Sequence, residues 1–267
     1  MGYFSLNLNQ GTIILEDGMS KNYEISDKQW KRIENFLPGR KGTPGRTAKN
    51  NRQFVNAVVW MLRSGARWQD LPKCYGKYKS VHKRYTNWCK SGVWERVQSL
   101  LNTDNDAEYL MLDSTVVKAH SQAATYKKKD QGLGRSVGGL SSKIHMLCDA
   151  LGNPLRFIIT AGQVHDVTQA CELLEGQKAD YVLADRGYIQ PKFFEKIRSI
   201  GAKPIIPHRR NQPPNKDFDP ILYKDRHLIE CLFSKIKHFR RIATRFDKKL
   251  SHFAGFVSLA CIMSLLR

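Results

Sequence analysis

Two uninterrupted apolar runs stand out from an otherwise mixed chain: Tyr109 to Leu112 in YLMLD and Tyr181 to Ala184 in YVLAD. Runs of this length bounded by polar residues predict strands buried on both faces, and each closes on a carboxylate, Asp113 and Asp185. Between them, LSSKIHMLCDA (140–150) and NPLRFIITAG (153–162) predict two further strands joined as a hairpin through Leu151, Gly152 and Asn153. DVTQACELLEG (166–176) and PKFFEKIRSIG (191–201) predict helices, and AKPIIP (202–207) a fifth strand. Further on, Ile229, Leu232, Phe233, Ile236 and Phe239 recur at helical spacing and make one apolar face. Asp219 and Pro220 suit the cap and first turn of that helix. The closing stretch LSHFAGFVSLACIMSLLR (250–267) is apolar almost all round but interrupted by Ser and Gly. It predicts a helix docked in a core, since a membrane span wants about 20 uninterrupted apolar residues.

Upstream the pattern is helical. NNRQFVNAVVWMLRSGARWQDLP (50–72) places Phe54, Val58, Val59, Met61 and Leu62 on one face and turns at Ser64-Gly65. YKSVHKRYTNWCKSG (78–92) predicts another helix with Ser80 as N-cap and Lys79, His82, Lys83, Arg84 and Asn87 exposed. Before both, ISDKQWKRIENFLPGRKGTPGR reads as a short helix and a basic Gly/Pro-rich loop. The chain therefore divides into a leader (1–24), a small all-α unit (25–104) and an α/β unit (105–267). The leader lacks the basic and apolar regions of a secretory signal, and Met19 offers a second start. Cysteines 74, 89, 148, 171, 231 and 261 show no metal or redox spacing, which predicts reduced thiols in a bacterial cytoplasm.

Charge sharpens the picture. The formal net charge is +20, and it is uneven: residues 39–100 carry fourteen Lys and Arg against Asp70 and Glu95, and residues 224–250 nine against Asp225, Glu230 and Asp247. Concentrated positive charge suits phosphate binding. In the helical unit it has two readings. One is a helix-turn-helix module whose later helix, with Lys79, Lys83 and Arg84, enters the major groove. The other is a helical bundle with Trp60, Trp68, Trp88 and Trp94 in its core and a solvated basic face.

The candidate chemistry lies downstream. On a helix, Tyr223, Arg226, Glu230 and Lys237 fall within a stripe of roughly 60°. Alone, that is a surface helix with an ordinary Arg226–Glu230 pair. With Asp113 and Asp185 at strand ends it becomes a set of three carboxylates, and buried carboxylates call for a compensating cation. The sequence Y-x2-R-x3-E-x6-K after two such aspartates resembles the DDE transposases of bacterial insertion sequences, in the branch formed by insertion-sequence families four and five. The resemblance extends over nearly all the chain beyond residue 25.

That resemblance implies a ribonuclease H-like catalytic domain with a mixed five-stranded sheet, and the predicted order β-β-β-α-β-α-β-α agrees. It implies that Asp113, Asp185 and Glu230 hold two Mg²⁺ ions, with Mn²⁺ as substitute and Asp113 bridging, for in-line cleavage of DNA and attack of the freed 3′-hydroxyl on target DNA. Partners would be double-stranded DNA, as terminal inverted repeats and target, and a second copy of the chain on DNA, with no membrane. Arg226 and Lys237 would hold phosphates, and Tyr223 either joins them or packs. The family often carries a histidine-aspartate pair where His165 and Asp166 stand, although Asp166 also suits the N-cap of a helix from Val167. Lys143 and His145 share a strand face, directed at the metals or DNA or simply exposed. A DNA-binding regulator would need the basic unit without the three carboxylates, and a metal-dependent nuclease the reverse. The short spacing from Asp185 to Glu230 leaves little room for a large insertion and leaves a DNA-hairpin intermediate open.

Overall fold

The computed structural model describes residues 23–40, 42, 47–102, 108–124, 131–136, 138–208 and 215–267. The leader before residue 23, Met19 included, lies outside them. Four helices come first. α1 (Asp27–Ile33) opens on a reciprocal capping box between Ser26 and Gln29. α2 (Asn51–Ser64) is capped by the Asn50 side chain and ends at Gly65, whose φ of 66° is left-handed and favours glycine. α3 (Tyr78–Lys90) and α4 (Val93–Leu101) follow. Ser80 is not the cap of α3: the helix starts two residues earlier, and the Ser80 N–H already bonds the Lys77 carbonyl inside the first turn.

The α/β part runs β1 (Tyr109–Ala119), α5 (Ser121–Ala124), β2 (Gly134–Ser136), β3 (Gly139–Cys148), β4 (Pro154–Ala161), α6 (Ala170–Leu173), β5 (Tyr181–Leu183), α7 (Pro191–Ser199) and β6 (Lys203–Ile205). It ends with α8 (His227–Lys237), α9 (Arg240–Ala243), β7 (Thr244–Arg245) and α10 (Leu250–Leu265). The main sheet has the order β4-β3-β1-β5-β6, with β3 antiparallel to β1 and β4, and β5 and β6 parallel to β1. This is the mixed sheet of a ribonuclease H-like domain. Short β2 and β7 extend it, β2 beside the start of β3 and β7 beside the end of β1.

Three predicted elements differ. β1 does not stop at Asp113 but continues to Ala119, because Thr115, Val116 and Val117 favour strand and the partner β3 pairs across through Lys118↔Ser141. Asp113 therefore lies within a strand. The helix predicted from residue 166 is a 3₁₀ turn (Asp166–Gln169) followed by the single turn of α6. The helix predicted from Asp219 is likewise split, with a 3₁₀ segment (Leu222–Arg226) before α8. Asp219 still caps it, its Oδ1 accepting from the Ile221 and Leu222 amides at 2.7 and 3.2 Å.

Alternation along the strands sorts two apolar clusters. Leu110, Leu112, Leu147 and Val182 face α6 and α7 through Leu173, Phe193 and Ile197. Tyr109, Met111, Met146 and Leu183 face α8 and α10, and that cluster continues without interruption into Phe54, Val58, Trp88 and Trp94 of the helical part. α10 is buried along its length and touches α2, α3, α4, α8 and α9. No described helix is long and apolar enough to cross a membrane.

At Gly255 of α10 an added Cβ would stand 2.5 Å from Cys89 Sγ and 3.0 Å from the Tyr85 hydroxyl. Gly255→Ala is expected to lower unfolding free energy by about 1–3 kcal/mol through this overpacking. A urea titration with a lower midpoint and unchanged slope is the expected reading; an unchanged midpoint refutes it.

Candidate active site

Period-two geometry brings the carboxylates to one face of the sheet. Asp113 lies two residues beyond Met111 and pairs with Met146, both in the cluster beneath α8, and Asp185 lies two residues beyond Leu183 of the same cluster. α8 packs its Ile229, Leu232, Phe233 and Ile236 into that cluster and leaves Glu230 at its edge. Arg226, on the preceding 3₁₀ segment, reaches between them. Its Nη1 donates to Asp113 Oδ2 at 2.7 Å and its Nη2 to Glu230 Oε1 at 2.5 Å. The side chains of Arg226 and Asp113 are 17% and 18% exposed against 57% for Glu230, so the inner arm of this fork is the desolvated one. The segment is pinned from below by the Tyr109 hydroxyl, which donates to Asp225 Oδ2 at 3.0 Å.

Backbone donors hold the two aspartates. Asp113 Oδ1 accepts from the Ser114 amide at 2.7 Å, and Asp185 Oδ1 accepts from the Gly187 amide at 2.8 Å while capping the 3₁₀ turn Arg186–Tyr188. Burial pushes the Asp113 carboxyl above its usual range; the Ser114 amide and Arg226 oppose that shift, and the charge of Asp185 adds to it. Burial pulls Arg226 down, but Asp113, then Tyr223 and Glu230, reverse the balance and leave its guanidinium raised. Lys237 Nζ donates to the Val116 carbonyl at 3.2 Å, three residues beyond Asp113 on β1, and burial lowers its amine. Tyr223 is half-buried, its ring meeting Phe218 at 5.5 Å and lying against the core.

The donor set suits a hard divalent ion, since all three side chains offer carboxylate oxygens. Among the described residues no three acidic, His or Cys side chains are gathered around one ion position. The reason is visible in the fork: the Arg226 guanidinium stands where Asp113 and Glu230 need a cation.

Other predicted residues fall elsewhere. Lys143 and His145 pair with Val116 and Ser114, on the face opposite Asp113. Lys143 is therefore not directed at the carboxylates of β1 and α8; its Nζ donates to Asp166 Oδ1 and to the Val164 carbonyl, both at 2.7 Å. This ion pair also corrects the capping role of Asp166, whose carboxylate is taken by Lys143 and held below its usual range, burial notwithstanding, by Lys143 and the Ser114 hydroxyl. His165 is exposed at the turn before it. On α3, Lys79 and Lys83 are exposed as predicted, but Arg84 is half-buried. Its guanidinium lies 4.2 Å over the Phe54 ring and 4.9 Å over Trp88, and bonds the Asn51 side chain. His82 is also half-buried, against Trp68 at 4.8 Å. The Ser114 amide and the Tyr109–Asp225 bond have no sequence signal: the first depends on the side-chain rotamer of Asp113, and the second joins residues distant in the chain.

Residues 104–265 match the family described as "Transposase DDE domain", and residues 25–98 the one described as "Putative transposase of IS4/5 family". The chain belongs to the DDE transposase family. As a transposase it is a polynucleotidyl transferase, of a family whose chemistry depends on divalent metal. It is 40% identical over 133 residues, 48% of its length, to the whole of a "Putative transposase for insertion sequence element IS6501" of Brucella ovis. It is 44% identical over 110 residues, 40% of its length, to 86% of the uncharacterized protein y4sN of Sinorhizobium fredii. Among solved structures, the piggyBac transposase synaptic complex with hairpin DNA aligns loosely, at 12% identity and a TM-score of 0.49 over 92% of this transposase and 71% of that chain.

Behind the site, His145 is fully buried, with Nε2 at 2.8 Å from Thr160 Oγ1, and burial lowers it to about 4. Unfolded, it protonates near pH 6.5. The folded transposase thus binds fewer protons between those values, so the stability this group contributes is complete above about pH 6.5 and is lost as pH falls towards 4. The expected loss is about 3 kcal/mol. Urea midpoints measured across that window should fall less steeply for His145→Gln than for the wild type; parallel curves would refute the assignment.

Proposed function

We propose that this chain is the transposase of a bacterial insertion sequence, which binds the terminal inverted repeats of its element, cuts DNA there and joins the 3′-hydroxyl ends to target DNA. The observation that carries this is the double ion pair of Arg226 with a half-buried strand carboxylate, Asp113, and a helix-borne glutamate, Glu230, with a second aspartate, Asp185, coupled electrostatically to the first. Asp113, Asp185 and Glu230 would hold Mg²⁺, with Mn²⁺ as substitute and two ions per site. Such ions, when bound, stabilise charge on the attacking and leaving oxygens of a phosphodiester.

The chain's own residues do the positioning. Arg226, which such ions would release from its two carboxylates, is one helical turn from Glu230 and has the planar fork that grips a phosphate through two hydrogen bonds. Lys237, resting on the Val116 carbonyl, offers a second cation on the same side of β1. Tyr223 supports the segment by packing. Asp166 and Lys143 neutralise each other behind the sheet and support β1 through Ser114, while His165 lies at the surface near them. The unit of residues 25–104 would recognise the element ends with Lys79 and Lys83 on phosphates, and that of residues 105–267 would carry the chemistry. Two ends brought together require a second copy on DNA, in the bacterial cytoplasm where the element resides.

The deciding assay uses a labelled duplex carrying the element's end, with Mg²⁺ or Mn²⁺. Asp113→Ala, Asp185→Ala and Glu230→Ala are each expected to lower cutting and joining at least a thousandfold while end binding stays within a fewfold. Binding without any cutting by the wild type would instead identify a regulator, and cutting without joining a nuclease.

Binding itself should fall steeply with salt, because released counterions drive it. The double variant Lys79→Ala, Lys83→Ala is expected to reduce the slope of log affinity against log salt by about two. A slope equal to that of the wild type removes both lysines from the DNA interface.

A further inference from the structure

A cavity of about 540 Å³ opens between the helical part and the chain segment that follows α9. It is lined by Trp68 from the loop after α2, His82 of α3, His120 after β1, Phe246 and Lys248 after β7, and His252 of α10, among others. It is separate from the carboxylates. β1 carries Asp113 near its middle and leads to His120 seven residues on, which at strand rise is about 23 Å away.

The walls are rings. Trp68 is fixed by Tyr85 at 5.3 Å and Phe256 at 6.1 Å, His82 meets His252 edge-on at 5.5 Å, and His120 lies on Phe246 at 5.1 Å with planes 35° apart. His252 is 7% exposed, and its Nε2 has no hydrogen-bond partner in the structure. A polar atom so placed is rare in folded proteins and marks a position that a ligand or water completes. Burial lowers both His82 and His252, the latter to about 4, so near pH 7 they are neutral imidazoles with ring faces and polar edges. Positive charge comes from elsewhere. Lys248 is exposed at the rim beside half-buried Lys249; Arg67 there is already paired with Asp70 at 2.8 and 3.0 Å, and Asp247 is spent on a buried two-bond pair with Arg241 at 2.9 and 3.1 Å.

These features discriminate among ligands. A purely apolar molecule gains nothing from the basic rim, and a bare phosphate gains nothing from three aromatic walls. Three imidazoles suggest a metal, but among the described residues no such side chains are grouped to hold one. A planar heteroaromatic group with hydrogen-bonding edges and an attached phosphate uses every part: rings for stacking, the His252 edge for a hydrogen bond, lysines for the charge.

We propose that this cavity binds one nucleotide, its base among Trp68, His82 and Phe246 and its phosphate at Lys248. The chemistry is shared by a free mononucleotide and by one unpaired nucleotide of a DNA strand; naming the strand as the source rests on the transposase reading given above, while the cavity's preference for a nucleotide does not.

The test runs on the full chain without divalent metal, so that no strand is cut. Ligand-observed NMR with dAMP and with ribose 5-phosphate measures the free-nucleotide arm. A duplex with one unpaired 2-aminopurine, against the same duplex fully paired, measures the strand arm through fluorescence quenching by stacking. Binding of dAMP at least tenfold tighter than ribose 5-phosphate, or quenching confined to the unpaired probe, is expected, and each identifies its source. Lys248→Glu, exposed and without a packing role, should weaken either signal at least fivefold at unchanged melting temperature, and His252→Phe should weaken it while keeping the wall filled. Equal binding of dAMP and ribose 5-phosphate, no signal in either arm, or a signal indifferent to Lys248→Glu overturns the proposal. Because no cutting is scored, failure here leaves the transposase reading intact, and failure of the cutting assay leaves a nucleotide signal standing.

Discussion

A carboxylate set within a buried strand must be matched by nearby positive charge and hydrogen-bond donors, and Asp113 makes that demand on the whole catalytic layer. Ser114 answers one oxygen with its amide and Arg226 the other with its guanidinium. For Arg226 to reach down to β1 and still touch Glu230, the chain before α8 has to descend towards the sheet. It does so as a tight 3₁₀ segment, capped by Asp219 and tied to β1 by the Tyr109–Asp225 bond. The apolar face of α8 then sets the rotation of the helix, which leaves Glu230 beside the arginine and Lys237 over β1. One half-buried charge thus fixes the approach of an entire helix.

Much of this was legible from residue order because the signals are local. YLMLD and YVLAD are apolar without a break, and the parity of alternate residues puts Asp113 and Asp185 on the same face once both runs are strands. The i, i+4 spacing of Arg226 and Glu230 likewise appears in the structure as a short ion pair. What escaped was decided by partners distant in sequence. Ser114 and Thr115 look like a polar turn until β3 pairs beside them and carries β1 on to Ala119. Asp166 has the chemistry of a helix cap, yet Lys143 reaches it from another strand and wins, since an ion pair partly shielded from water outweighs an amide contact in an exposed turn. Arg84 lies on a basic helix face by periodicity, but Phe54 from α2 supplies a ring for it to cover. A helical wheel drawn for one helix contains nothing of its neighbour.

The same apolar cluster that supports β1 and α8 runs on into α2, α3 and α4, with α10 at its centre. End recognition and strand chemistry, if divided as proposed, would therefore be joined by packed side chains and not by a flexible tether alone. The aromatic cavity beside His252 is a product of that junction, since its walls come from both parts of the chain.

α10 follows every other described element in the chain, and it fills the space at the centre of the cluster. The strands and helix bearing the carboxylates therefore emerge from the ribosome before the helix that completes their core. Until α10 arrives, Phe54, Trp94 and Ile229 have no full apolar cover. Synthesis through α10 is thereby a physical checkpoint: a product broken off earlier retains the acidic and basic residues but lacks the packing that makes them a site.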